Sequence, residues 1–167
     1  ADLIVALLDG MFETPLWSTF LDELRQRTRA DYASLVFRPP GMPPNTVFHL
    51  FSGERCPPVI QELYRQSFYQ RDPTPYHDML EGRVYTLSEL LHQSDPIHAA
   101  YLREVLAPSG MNIMRMMRVV EPSSVNAWVT ITRREPDFRS EDDDLLRMIA
   151  PYLRSVLRSF VALERER

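Results

Sequence analysis

A chain of 167 residues with 44% hydrophobic content fits one domain, residues 1–167, that buries about 70% of the surface its unfolded chain would expose. The net charge of −4 argues against direct binding to nucleic acid, which relies on clustered positive charge and counterion release. All 19 basic residues are arginine, so a Walker A lysine, a Schiff-base lysine and a kinase-type phosphate lysine are excluded. No apolar run is long enough to cross a bilayer, and no charged segment leads into a signal-peptide core, so the expected location is the cytoplasm.

Along the chain, Ala1 to Met11 reads as a short apolar helix. Thr14 is placed to cap a second, with Pro15 in its first turn and Leu16, Phe20, Leu21 and Leu24 facing inward. Tyr32 to Phe37 and Thr46 to Phe51 are β-branched and aromatic runs on either side of the proline-rich stretch 39–44, which reads as a hairpin loop. Pro58 to Tyr69 predicts a helix. Arg71 to Tyr85 holds Pro73, Pro75 and Gly82 and reads as irregular, with a short strand at Arg83 to Tyr85. Asp95-Pro96 starts a helix that runs to Leu106. Met111 to Glu121 and Val125 to Glu135 form a second hairpin. The closing helix begins near Ser140, whose hydroxyl is placed to cap it, and Glu141, Asp142 and Asp143 lie at the positive end of its dipole. The predicted class is α+β, an antiparallel sheet with helices on both faces.

The last hairpin carries the candidate site. An even-numbered turn between Glu121 and Ser124 would set Met114, Met116, Val129 and Ile131 on one apolar face. Arg115, Met117, Trp128 and Thr130 would then share the other. That second face mixes an aromatic ring, a thioether, a hydroxyl and a cation, the lining expected of a small-molecule pocket. Tyr69, Tyr76, Met79 and Tyr101 come from the segments that would cover it. A packed core rich in methionine, with no ligand, is the competing reading.

Catalytic and metal chemistry find little support. The five glycines are too dispersed for a dinucleotide-binding turn, and Cys56 is the only cysteine, so an internal disulfide and a multi-cysteine zinc site are both excluded. His92-x-x-Asp95-x-x-His98 has a ligand-like spacing, but Asp95-Pro96 interrupts the helix that would align it, and Asp95 reads better as a cap. No set of acids, and no Ser/His/Asp group, stands out as catalytic. No cofactor, no metal and no enzymatic activity are expected.

In the terminal helix Leu145, Ile149, Tyr152, Val156, Phe160 and Leu163 recur at steps of three and four, flanked by Leu146, Leu153, Leu157 and Val161. So wide an apolar arc, with Ala1 to Leu8 beside it, predicts a homodimer through the terminal helices. The phrase Phe138-Arg-Ser-Glu-Asp followed by Leu146-Arg-Met-Ile-Ala-Pro-Tyr-Leu-Arg resembles the end of the N-terminal sensor domain in bacterial LuxR-type transcriptional regulators. Leu16-Trp-Ser-Thr-Phe-Leu-Asp-Glu-Leu, Tyr69-Gln-Arg-Asp-Pro, Gly82-Arg-Val-Tyr-Thr-Leu-Ser-Glu-Leu-Leu and Tyr101-Leu-Arg-Glu-Val-Leu-Ala-Pro-Ser-Gly-Met follow in the family's order. Tyr152 stands where many relatives carry histidine. The resemblance implies a GAF/PAS-like fold with a small-molecule cavity between sheet and helices. It also implies a DNA-binding helix-turn-helix beyond this chain, the only part expected to contact DNA. Three functions stay open: an effector-sensing module, a dimerisation domain of such a regulator with no ligand, and, least supported, a small enzyme.

Overall fold

A computed structural model describes residues 2–38, 47–53, 72–123 and 125–166. The predicted proline-rich loop, the helix Pro58 to Tyr69 and Cys56 lie outside the described residues. Helix α1 spans Leu3–Asp9, with Asp2 accepting a hydrogen bond from the Ile4 N–H, and a 3-10 turn, Gly10–Phe12, follows it. Helix α2 spans Ser18–Thr28. Thr14 does not cap it: the cap position is Trp17, held at φ 54° with no side-chain cap. The indole explains this costly backbone. It is fully buried, packs against Phe37 and Phe160, and donates from Nε1 to the Leu7 carbonyl at 2.9 Å, so its burial outweighs the loss of a conventional cap. Gly10 has no Cβ because the Trp17 ring occupies that space.

Strands β1 (Tyr32–Arg38), β2 (Phe48–Gly53), β3 (Val84–Thr86), β4 (Ile113–Glu121) and β5 (Val125–Arg133) form one antiparallel sheet in the order β2-β1-β5-β4-β3. Between β3 and β4 lie α3 (Leu87–Leu90) and α4 (Pro96–Tyr101), the latter continuing as a π-helical turn, Leu102–Leu106. As predicted, Asp95 caps α4, accepting from the Ile97 N–H at 2.8 Å. The sheet has a core on each side. On one face Ala33, Leu35, Phe37, Val84, Met117, Val119, Ala127, Val129 and Ile131 pack under α1, α2 and the terminal helix. On the other, Met114, Met116 and Trp128 meet Met79, Leu90, Leu91, Tyr101, Val105 and Leu106. This is the α+β arrangement with helices on both faces.

The terminal helix α5 spans Ser140–Arg165, 26 residues or about 39 Å, and continues through Pro151. Ser140 is its first residue and not its cap. The cap position is Arg139, whose N–H donates to Asp142 Oδ2 at 2.8 Å, so the third helical residue reaches back to satisfy it. The flanking row Leu146, Leu153, Leu157 and Val161, expected to be spare apolar surface, is buried in the chain's own core. Packing against β4, β3 and α1 together consumes the wide arc. Val5, Leu8 and Phe12 around α1, and Met148, Tyr152 and Leu163 on α5, are the large hydrophobics left exposed on these elements.

Candidate effector-binding site

The register of the last hairpin decides which side chains share a surface. Glu121 pairs with Val125, leaving three residues in the turn, and Met116 pairs with Thr130, Met117 with Val129 and Arg118 with Trp128. An odd turn reverses the expected assignment on β4, because strand side chains alternate between faces. Met114 and Met116 therefore join Trp128 and Thr130, while Arg115 and Met117 lie on the opposite face. Met117 is fully buried there beneath the terminal helices. Arg115 is also buried. It donates from Nε to Asp143 Oδ1 at 2.8 Å, pairs with Asp137 at 3.1 Å, and lies over the Phe138 ring. Neither residue borders the site.

The structure brings Tyr76, Met79, Tyr101, Trp128 and Thr130 together on the other face. Tyr69 lies outside the described residues. Trp128 is nearly buried and fixes the segment that covers it: its Nε1 donates to the Tyr76 carbonyl at 3.2 Å, and the Tyr76 and His77 rings stand edge-on to it at 5.6 and 5.5 Å. The Tyr76 hydroxyl donates in turn to Asp72, which also accepts from the Thr74 N–H at 3.0 Å and hydroxyl at 2.6 Å. Arg118, on the same face, clamps this segment from below. Its Nη1 donates to the carbonyls of His77 and Met79, while Nε and Nη2 donate to Asn126 Oδ1.

Sequence reasoning missed a row of polar groups. Ser34 pairs with Thr130 across β1 and β5, and Tyr32 with Thr132, so these four hydroxyl-bearing side chains lie on the face of Trp128 and Met116. Ser34, Thr130 and Thr132 are all at least nine-tenths buried. The alternation in Tyr32-Ala-Ser-Leu-Val-Phe37 carries the signal, since Ala33, Leu35 and Phe37 are the core positions and Ser34 falls between them.

The edges of the site are electrostatically tidy. Glu89, in the capping box of α3, is held below the usual carboxylate range mainly by the Thr86 N–H, with further help from the Thr86 hydroxyl and Arg83. Asp95 at the start of α4 is lowered mainly by the Ile97 N–H. His92 and His98 stack at 5.7 Å, and His98 Nδ1 accepts the His92 N–H at 2.9 Å. No group of three His, Cys, Asp or Glu side chains suited to a metal ion occurs among the described residues. Nor, among the described residues, is any helix long and apolar enough to cross a membrane.

No family model matches the sequence, and no curated protein matches it at a significant level. Solved structures do match. The chain is similar to the LBD of VqsR from Pseudomonas aeruginosa (TM-score 0.63, 13% identity, 96% of this chain and 94% of that one). It is also similar to CepR2 from Burkholderia cenocepacia, an N-acylhomoserine lactone-dependent transcription factor of the LuxR family (TM-score 0.60, 13% identity, 95% and 93%). A GAF domain from Synechocystis shares the architecture as well (TM-score 0.57, 14% identity, 88% and 94%). The chain therefore has the fold of the sensor domains of LuxR-type transcriptional regulators, an α+β fold that extends to GAF domains.

Proposed function

We propose that residues 1–167 act as a single, cytoplasmic effector-sensing domain of a LuxR-type regulator, in which a small amphiphilic molecule binds over the sheet face of Trp128 and Met116. The effector's occupancy would be passed through α5 to a DNA-binding helix-turn-helix that this chain does not contain, with no chemistry performed on it. The observation that carries this reading is the mixed lining of one sheet face, where the hydroxyl-bearing Ser34, Thr130 and Thr132 lie beside the apolar cluster of Met114, Met116, Tyr101 and Trp128. Ligand pockets are mostly apolar with a few placed polar groups, and this face has that composition. Met114, Met116, Tyr101, Val105 and Leu106 would take an apolar chain, the hydroxyls and the Trp128 edge a polar head. Methionine suits such a wall because its flexible side chain adapts to different chains. An acylated lactone of the kind named for CepR2 has this chemistry.

Titration with N-octanoyl-homoserine lactone and octanoyl-glycerol, followed by melting shift and by Trp fluorescence, tests the reading. At least one should raise Tm, since a ligand that binds only the folded state stabilises it by mass action. Ser34→Ala with Thr130→Val should keep the fold and weaken that binding about tenfold, the value of one lost hydrogen bond. If neither probe nor any other small amphiphile shifts Tm, the face is only a core, as the competing reading holds.

The domain is also proposed to form a homodimer. The surface in question is Val5 and Leu8 on α1, Phe12 in the turn that follows it, and Met148, Tyr152 and Leu163 on α5, exposed apolar side chains on and beside two helices that contact one another. Light scattering at tens of micromolar should give twice the chain mass, and Leu8→Glu with Tyr152→Glu should halve it. A parent that is monomeric at that concentration would remove the proposal.

A further inference from the structure

The same hairpin that walls the proposed effector site also holds the first turn of α5, and it does so on its opposite face. From β4, Arg115 reaches Asp143 at 2.8 Å and Asp137 at 3.1 Å, and its Nη2 points at the Phe138 carbonyl. From β5, Arg133 stacks over the Phe138 ring at 4.2 Å, donates to the Thr28 carbonyl at 2.6 Å and lies 3.7 Å from Asp142. Both guanidiniums are more than nine-tenths buried, and Phe138 lies between them. Arg115 stands between Met114 and Met116 in sequence, and Arg133 directly follows Thr132. Each arginine is thus attached to backbone whose neighbouring side chains face the other way, into the proposed site.

We infer that Arg115 and Arg133 are positioning residues that convert a displacement of the β4–β5 hairpin, imposed by an effector, into a change in the pose of α5. The inference rests on the effector-site reading above. Strands transmit such a displacement because a shift that moves Met116 toward or away from a ligand carries Arg115 with it. The Arg115–Asp143 and Arg133–Asp142 pairs then report it sharply, since a buried guanidinium with fixed partners has few alternative positions. Coupling of this kind needs an element that both sites bias, and the first turn of α5, from Ser140 to Asp143, is that element.

Amide hydrogen exchange in the 167-residue chain, without ligand, tests it. Met116→Ala loosens the effector face, with Met114→Leu as a milder change that keeps the core if the first variant fails to fold. Exchange at amides 142–149, normalised to amides in β1 and β5, should rise about tenfold with the Met116 variant in the parent background. In an Arg115→Gln background those amides should already exchange fast, and the Met116 change should add less than about twofold. Arg115→Lys, which keeps the charge and one contact to Asp143, should restore part of the coupling. The inference is overturned if the methionine variants leave α5 unaffected, or if they act with the same factor whether or not Arg115 is present. Because no ligand enters the measurement, its outcome is separate from the melting-shift result that tests effector binding.

Discussion

Replacing Trp17 by alanine is expected to cost roughly 3–5 kcal/mol, a large share of the 5–15 kcal/mol by which domains of this size are stable. The ring is fully buried and makes aromatic contacts with Phe37 at 5.9 Å and Phe160 at 5.4 Å, joining α2, the sheet and α5 at one point. Its removal leaves a void among rigid neighbours and strips the Leu7 carbonyl of its donor. Alanine would also inherit a left-handed backbone that it occupies at a cost. Urea denaturation at 25 °C measures the difference. A loss below 1 kcal/mol would mean that the surroundings collapse around the site, and would contradict the packing described.

The second large effect is expected at Asp142. The side chain is almost fully buried, lies 3.7 Å from the Arg133 guanidinium and accepts the Arg139 N–H at the helix start. Asp142→Ala removes the counter-charge of a buried arginine whose Nε already has no hydrogen-bond partner. Breaking such a pair from one side costs about 3–5 kcal/mol, because the remaining charge stays buried. Replacing Asp142 and Arg133 together by Leu and Met should recover much of that loss, since the desolvation penalty goes with the charges. If the single and double variants unfold at the same urea concentration, the arginine is not confined by its partner.

Most of the described elements were legible in the sequence because each had a local signal, such as the Asp95 cap, the β-branched runs and the acidic start of α5, whereas the short helix α3 was not predicted. The apolar alternation of β5 was equally clear, with Ala127, Val129 and Ile131 against Trp128, Thr130 and Thr132. Strand β4 was not, because Met114-Arg-Met-Met-Arg118 has no clean polar alternation when both faces of the sheet are covered. Its faces could be assigned only through the turn, and residues 122–124 lack the Asn-Gly or Gly-rich signature that fixes a loop length. One residue in that count moved Arg115 and Met117 from the site to the output face. The cap of α2 escaped for a different reason. A tryptophan at positive φ is set by tertiary packing against Gly10, and nothing within the segment foretells it.

The register has an implication for how such a domain can diverge. On β1, β4 and β5 every even-numbered position from Tyr32 to Val36, Met114 to Arg118 and Trp128 to Thr132 faces one layer, and the odd-numbered positions between them face the other. Ligand preference can therefore drift through the even positions while the odd ones, which determine how the terminal helix is held, stay unchanged. A single-residue insertion within the 122–124 turn would exchange the two sets on one strand at a stroke. Lineages built on this hairpin should tolerate substitution along it far better than any change in its length.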